Sequence, residues 1–352
     1  MNIYIRSAAC ISPQPTFGDQ PSWAANHPAS PAEALAKVDR LTWIEPDYKG
    51  LLDAKALRRM SRIIRMGVAA ASDCLRQGGE KEPGAIVSGT AYGCLEDTDH
   101  FLQSLIQRKE EALQPAPFIQ STHNTVGAQI GLMLQCTRYN NTFVHRGASF
   151  ENALLDAILL LSEGEAATVL AGAVDEITDT SHAILQRFGL YRHVPAGEGA
   201  AFFLLAAQPS PTDQARLDGI TTFYKPEDTK TVEKGLRSFL EQHAAKPDLV
   251  ILGANGDLGN GDLGNGDPGN GDPTSSSAAN DEGYRQLVAP GSVFAGKKLL
   301  SYKRLCGEYP TSTAFAFWLA TRLLKQGGHR QILVYNHYLG IHHTAFLLSA
   351  AV

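Results

Sequence analysis

Cysteine is scarce in this chain, and no two cysteines stand at metal-binding spacing. Cys10, Cys74, Cys94, Cys136 and Cys306 are far apart and odd in number. That argues against both a zinc site and a disulfide framework. Basic clusters are missing too: Lys and Arg are scattered and the formal net charge is −5, so there is no footprint for nucleic acid. A local basic patch for an acidic carrier protein is still compatible with that charge. Apolar runs such as Ala153 to Leu161 are too short to span a bilayer. The opening MNIYIRSAACISP has no basic stretch leading into an apolar core and a cleavage site. The expectation is a cytoplasmic, globular protein with no membrane span.

What is present is a large apolar content, 43% of 352 residues against 19% charged, enough for two domain-sized units or one duplicated unit. Strand and helix signals alternate. Residues 2–7 read as a strand, 31–39 as a helix, and 54–78 as one long helix ending at Gly78 and Gly79. GAIVSGT reads as a buried strand running into a glycine turn at Gly93. Residues 124–135 read as a helix, NNTFVH as a strand and 149–163 as a helix, followed by buried strands in ATVLAGAVDE and GEGAAFFLLA. After a Pro/Ser-rich break at 208–213 come strand ITTFYK, helix 229–244, strand PDLVILG, strand KKLLSYK, helix 311–326 and a closing strand pair. This order predicts an α/β architecture in two parts, 1–207 and 214–352. A glycine, Asn and Asp repeat within 254–273 cannot build a core and reads as a flexible loop. Calcium is a minor alternative there, since the spacing matches no EF-hand.

Five ordered blocks resemble the β-ketoacyl-acyl-carrier-protein synthases. They are LRRMSRIIRMGVAAASDCL, GTAYGCLEDT, NTVGAQIGLML, LSEGEAATVLAGAVDEIT and GEGAA at Gly197–Ala201. The closing strands from Tyr335 and Asn336 fall where that family carries a glycine-rich loop. The resemblance implies a thiolase-like fold, two similar α/β halves forming a layered α-β-α-β-α core, usually as a dimer.

The resemblance also implies a cysteine nucleophile at a strand-to-helix turn, and two histidines. Counting back from Ala171–Gly172 puts the nucleophile position at Gly147, while counting forward from Asn124 puts it at Ala148. The first histidine position falls at Ala254 or Asn255. The second falls at Glu308, with Lys303 and Gly307 retained and a Lys303–Glu308 ion pair conceivable. An anionic Glu308 would repel an enolate rather than stabilise it.

Ser149 is the nearby hydroxyl, read first as a helix N-cap and second as a nucleophile. Cys94, in its glycine turn, is an alternative thiol. Cys306 lies beside Lys303 and Arg304, which favour thiolate, but is read as structural. His145 and Arg146 are read first as buried structural or subunit-contact residues, and second as a base or an anion contact. His337, His342 and His343 sit in a loop with no acidic or thiol ligand at suitable spacing, so no metal is assigned.

The implied role is that of a chain-length-factor-like partner of an active ketosynthase in type II polyketide or fatty acid biosynthesis. It would work with an acyl carrier protein and need no cofactor. Phe143, His145, Arg146, Phe150 and Glu151 are the candidates for lining a tunnel at the subunit interface. The rivals are an acyltransferase using Ser149 or Cys94, and a homodimeric acyl-binding protein.

Overall fold

The structure, a computed structural model, describes residues 2–18, 38–191, 194–255, 258 and 276–351. The helix expected over 31–39 lies almost wholly outside these residues, and most of the 254–273 repeat does as well.

In chain order the first part contains β1 (Ile3–Ile11), α1 (Arg62–Gly78), β2 (Ala85–Gly89), α2 (Leu95–Gln107), α3 (Thr125–Leu134), β3 (Tyr139–Phe143), α4 (Ser149–Ser162), β4 (Thr168–Asp175), α5 (Asp179–Arg187) and β5 (Gly199–Ala206). The second contains β6 (Ala215–Tyr224), α6 (Thr229–Gln242), β7 (Leu249–Leu252), α7 (Ser276–Val288), β8 (Leu299–Ser301), α8 (Thr313–Gln326), β9 (Gln331–Tyr338) and β10 (His342–Ser349).

The spatial order is β3-β2-β4-β5-β1 in the first part and β8-β7-β9-β10-β6 in the second. Both follow one plan. The strands joined through helical crossovers are parallel, and the last two joints of each are antiparallel. The two sets of five meet edge to edge where Ile3–Ile5 pairs with Ala215–Leu217.

Strand alternation explains the layers, because successive side chains point to opposite faces. Ile3, Ile5, Ala8 and Cys10 of β1 share a core with α4, α8 and one face of the second sheet. Ala9 and Ile11 point the other way, into a core with α1 and α3. On the far side, α6 and α7 cover the outer face of β7, β9 and β10. The result is five layers, with α4 and α8 in the middle. Strands β4 and β5 are buried on both faces, so they carry near-continuous apolar sequence.

The single helix expected over 54–78 is two pieces. A short helix, Ala54–Leu57, ends before Ser61, whose extended backbone (ψ 172°) restarts the chain as α1 at Arg62. Helices α2, α5 and α7 were not anticipated. The first two carry readable starts: Glu96 and Asp97 in the first turn of α2, and a Thr178/Ser181 capping box on α5. Among the described residues no helix is long and apolar enough to cross a membrane.

Candidate functional site

The turn singled out in the sequence links β3 to α4, one of the two central helices. After Val144 and His145 the chain makes a single 3-10 turn, Arg146–Ala148. Arg146 adopts a left-handed φ of 51°, which costs an L-residue about 1–2 kcal/mol. Ser149 holds this turn closed. Its Oγ accepts the His145 N–H at 2.8 Å and donates to the Arg146 carbonyl at 2.8 Å. The N-cap is therefore Ala148, and Ser149 is the first helical residue, with its hydroxyl committed backwards. That corrects the N-cap expectation. It also leaves the hydroxyl, on a fully buried residue, without a free lone pair aimed at solvent.

Gly147 is buried against Tyr338, and a Cβ on it would overlap Cβ, Cγ and Cδ1 of that tyrosine. Tyr338 is held in turn by Tyr92 of the glycine turn, with hydroxyls 3.3 Å apart. A side chain of any size at position 147 is thus excluded while Tyr338 keeps its place.

The second locus gathers residues distant in sequence. Glu308 Oε2 accepts from Lys303 Nζ at 2.7 Å and from Asn255 Nδ2 at 3.1 Å, and Lys303 is almost fully buried. Of the two candidates for the first histidine position, Asn255 is the one that reaches this group. Ala254 packs into the outer core of the second part. The Asn255 backbone N–H is fixed by Asp281 at 3.0 Å. Tyr338 and Tyr191 both lie within electrostatic reach of the Glu308 carboxylate.

The Gly-Glu-Gly segment explains how that turn is held. Gly197 N–H donates to the Glu308 carbonyl, and Glu308 N–H donates to Pro195, each at 2.9 Å. The two chains run so close that a Cβ on Gly197 or Gly307 would strike the opposing backbone. Between the glycines, the fully buried Glu198 receives Arg62 through both carboxylate oxygens, plus the backbone N–H groups of Trp43 and Ile177 at 3.1 Å. Asp175 makes a parallel tie. It accepts Thr90 Oγ1 and Ala91 N–H from the glycine turn and Thr311 Oγ1 from the second part.

Burial decides the state of the thiols. It pushes the Cys94 thiol up, with Glu176 and Asp97 adding to the rise. At Cys306 burial outweighs Lys303, so the thiolate expected from its basic neighbours is not favoured. Cys10 and Cys74 are raised to about 12 by the same cause.

Beside the α4 turn a cleft of about 510 Å³ opens between the two parts, lined by His145, Arg146 and Glu151 on one side and Phe223, His342 and Thr344 on the other. His145 and Arg146 are exposed, which corrects the buried structural role expected of them and leaves the subunit-contact reading in place. Phe150, grouped with them in the sequence, points instead into the aromatic core of Phe203, Phe317 and Phe346. Phe143 is half-buried, its ring 6.2 Å from that of His145.

Glu151, 1% exposed, is the residue whose importance the sequence understated. Burial raises its carboxyl to about 7. The Thr313 and Thr344 hydroxyls lie near enough to oppose that rise, yet neither carboxylate oxygen has a hydrogen bond of normal geometry. The loop histidines have separate roles. His343 Nδ1 lies 2.8 Å from Tyr335 Oη, and His337 stacks on Tyr284. Among the described residues no three His, Cys, Asp or Glu side chains group as a metal site.

A search of curated proteins by sequence finds no match. Solved structures do match over the whole chain. The ishigamide ketosynthase/chain length factor is 17% identical with a TM-score of 0.74, covering 100% of both chains. A type II polyketide synthase acyl-carrier protein in complex with its ketosynthase, bound to the hexaketide, gives 14% identity, a TM-score of 0.73 and 99% coverage of each chain. A β-ketoacyl synthase from Burkholderia phymatum STM815 gives 14%, 0.68 and 100% of both. These likenesses establish the thiolase-like fold. The model of the β-ketoacyl synthase N-terminal domain matches residues 33–236, more than half of the sequence, and the chain therefore belongs to the β-ketoacyl synthase family.

Proposed function

We propose that this protein is a non-condensing member of its family, the chain-length-factor-like partner of an active ketosynthase in type II polyketide or fatty acid-type synthesis. The observation that carries this reading is at the α4 turn. The resemblance puts the nucleophile position at Gly147 or Ala148, neither of them a cysteine, and at Gly147 Tyr338 fills the space a side chain would need. Asn255 and Glu308 occupy the two histidine positions, and Lys303 engages Glu308 in an ion pair. Neither position holds a histidine: the Asn255 amide donates to Glu308, and the Glu308 carboxylate offers acceptors only. The two parts, 1–207 and 214–352, act as the halves of one cytoplasmic subunit.

A partner surface supports the reading. β3 is the outer strand of its sheet, with an unpaired backbone edge. Large apolar side chains are exposed on and around it: Leu132 from α3, Tyr139 and Val144 from β3 and its exit, and Leu159 from α4. An active ketosynthase seated there brings its own acyl carrier protein to the complex. The acyltransferase alternative is weakened at both its candidates, since the Ser149 hydroxyl is occupied and the Cys94 thiol is buried and raised.

The test is intact-mass spectrometry after incubation with acyl-carrier thioester, on this chain alone and mixed with the ketosynthase encoded beside it. The expected result is an acyl adduct on the ketosynthase alone, within a stable one-to-one complex. An adduct on this chain overturns the proposal, and so does failure of the two to associate. A symmetric dimer of this chain that binds acyl groups without covalent labelling would establish the homodimeric acyl-binding alternative instead.

A further inference from the structure

The cleft beside α4 holds ionisable groups that the proposed role does not use. At its floor lies Glu151, buried, with neither carboxylate oxygen in a hydrogen bond of normal geometry. The Thr313 and Thr344 hydroxyls stand near it, but neither reaches it in normal hydrogen-bond geometry. Thr344 lines the same floor. At the mouth stand the exposed His145 and Arg146 and the half-buried His342, with Lys225 acting on His342 from the end of β6. Acid is at the bottom and base is at the rim.

A carboxylate buried without donors costs several kcal/mol, and a ligand that supplies donors recovers much of that cost. A ligand hydroxyl would bring one donor. A primary ammonium brings three, through charge-assisted bonds, enough for both Glu151 oxygens and the Thr344 hydroxyl. A bare amine is disfavoured by the cations at the rim and by the positive N-terminal end of α4. The ligand must therefore carry its own anion, and the planar guanidinium of Arg146 suits a carboxylate.

We propose that this cleft is a binding site for a small amino-acid zwitterion, its ammonium on Glu151 and Thr344 and its carboxylate on Arg146 and His145. The cleft adjoins the proposed partner surface at Val144, but its occupancy is read on this chain alone. Binding also has a proton signature. An ammonium favours ionised Glu151, whose carboxyl is raised to about 7 when the cleft is free. Occupancy near neutral pH therefore releases protons, and affinity climbs as pH rises through 7.

The experiment is calorimetric titration of the full chain at pH 7 with glycine, β-alanine, 4-aminobutyrate and 6-aminohexanoate, in two buffers of different ionisation enthalpy. The series sets the charge separation the cleft accepts. At least one member is expected to bind with proton release. Butyrate and butylamine, each lacking one charge, are expected to bind about tenfold more weakly or not at all. Glu151→Gln should weaken the best ligand by about tenfold or more and abolish proton release, and Arg146→Ala should weaken it by about threefold or more.

The proposal is overturned if none of the four binds at millimolar concentration. It also fails if butyrate binds as well as the amino acid, or if affinity is unchanged in Glu151→Gln. Arg146 is exposed and makes no core contact, so Arg146→Ala keeps the test decisive should the buried variant not fold. Unchanged affinity in that variant overturns the proposal too.

Discussion

Helices α4 and α8 occupy equivalent places in the two parts, each between the third and fourth strands of the same topology, yet they end differently. From Thr313 to Arg322 every residue of α8 is buried, and Phe315, Phe317 and Trp318 make it the packing axis of the molecule. Its start is tied down by Thr311 on Asp175 and by Ser312, whose hydroxyl lies 3.2 Å from that of Tyr302. Helix α4 packs against both sheets through Phe150 but leaves a flank uncovered. Leu159 is 56% exposed, and the first turn opens on a cleft with an unsatisfied carboxylate. Of two helices with one topological role, the first part's borders the cleft, while the second part's carries the core. The strands that enter the site differ in the same sense. β5 begins in the closed Gly-Glu-Gly clamp, and β10 begins at His342, open to the cleft.

Breaking the clamp should have the largest effect. Glu198→Ala removes one buried carboxylate from Arg62 and two backbone N–H groups, and is expected to cost about 3–5 kcal/mol in urea unfolding. His342→Ala, at the equivalent start of β10, should stay within about 0.5 kcal/mol. Similar costs at the two positions would erase the distinction between a closed and an open strand entry.

Glu151→Gln comes next, with the opposite sign. Because the native carboxyl titrates near 7 rather than 4.5, the folded state holds the extra proton between those values. Native stability therefore falls as pH rises through that window. The glutamine variant should match the natural chain below about pH 4.5 and gain up to about 3 kcal/mol above pH 7. Thermal melting across pH 4 to 8 reads this directly, and a pH-independent difference would contradict it.

A smaller effect is expected at the plugged turn. Gly147→Ala should cost about 1–3 kcal/mol by overpacking, and much less in a Tyr338→Ala background. A double-mutant cycle then gives a coupling of at least about 0.5 kcal/mol, whereas additivity would mean the tyrosine does not set that space. Smallest is Ser149→Ala, about 1 kcal/mol for the two bonds closing the Arg146 turn, checked by the same denaturation series.

The fold was legible wherever local pattern and burial coincide. The doubly buried β4 and β5 announce themselves as apolar runs, and Gly197 and Gly199 mark the close approach they serve. The site was legible only in part. Gly147, with Ala148 as its alternative, and Glu308 come from spacing within the blocks of the resemblance, and their assignment is a proposal. That Tyr338 fills the space of Gly147, that Asn255 rather than Ala254 meets Glu308, and that Phe150 turns to the core while Glu151 turns to the cleft are set by tertiary packing. Nothing within a few residues encodes them. The break at Ser61 was missed for a related reason, since helical periodicity runs straight through it and Arg62 is positioned for Glu198, 136 residues away.

The contact between Gly147 and Tyr338 also has an evolutionary side. Two of the four glycine codons lie one nucleotide from a cysteine codon, so a thiol at 147 is one or two base changes away on paper. In the folded molecule that mutation collides with Tyr338 and is selected against before any reactivity can be exposed. The tyrosine must shrink first, at a loss of packing and with no immediate gain. The plug thus acts as a ratchet: a thiol at 147 requires an ordered pair of changes rather than one.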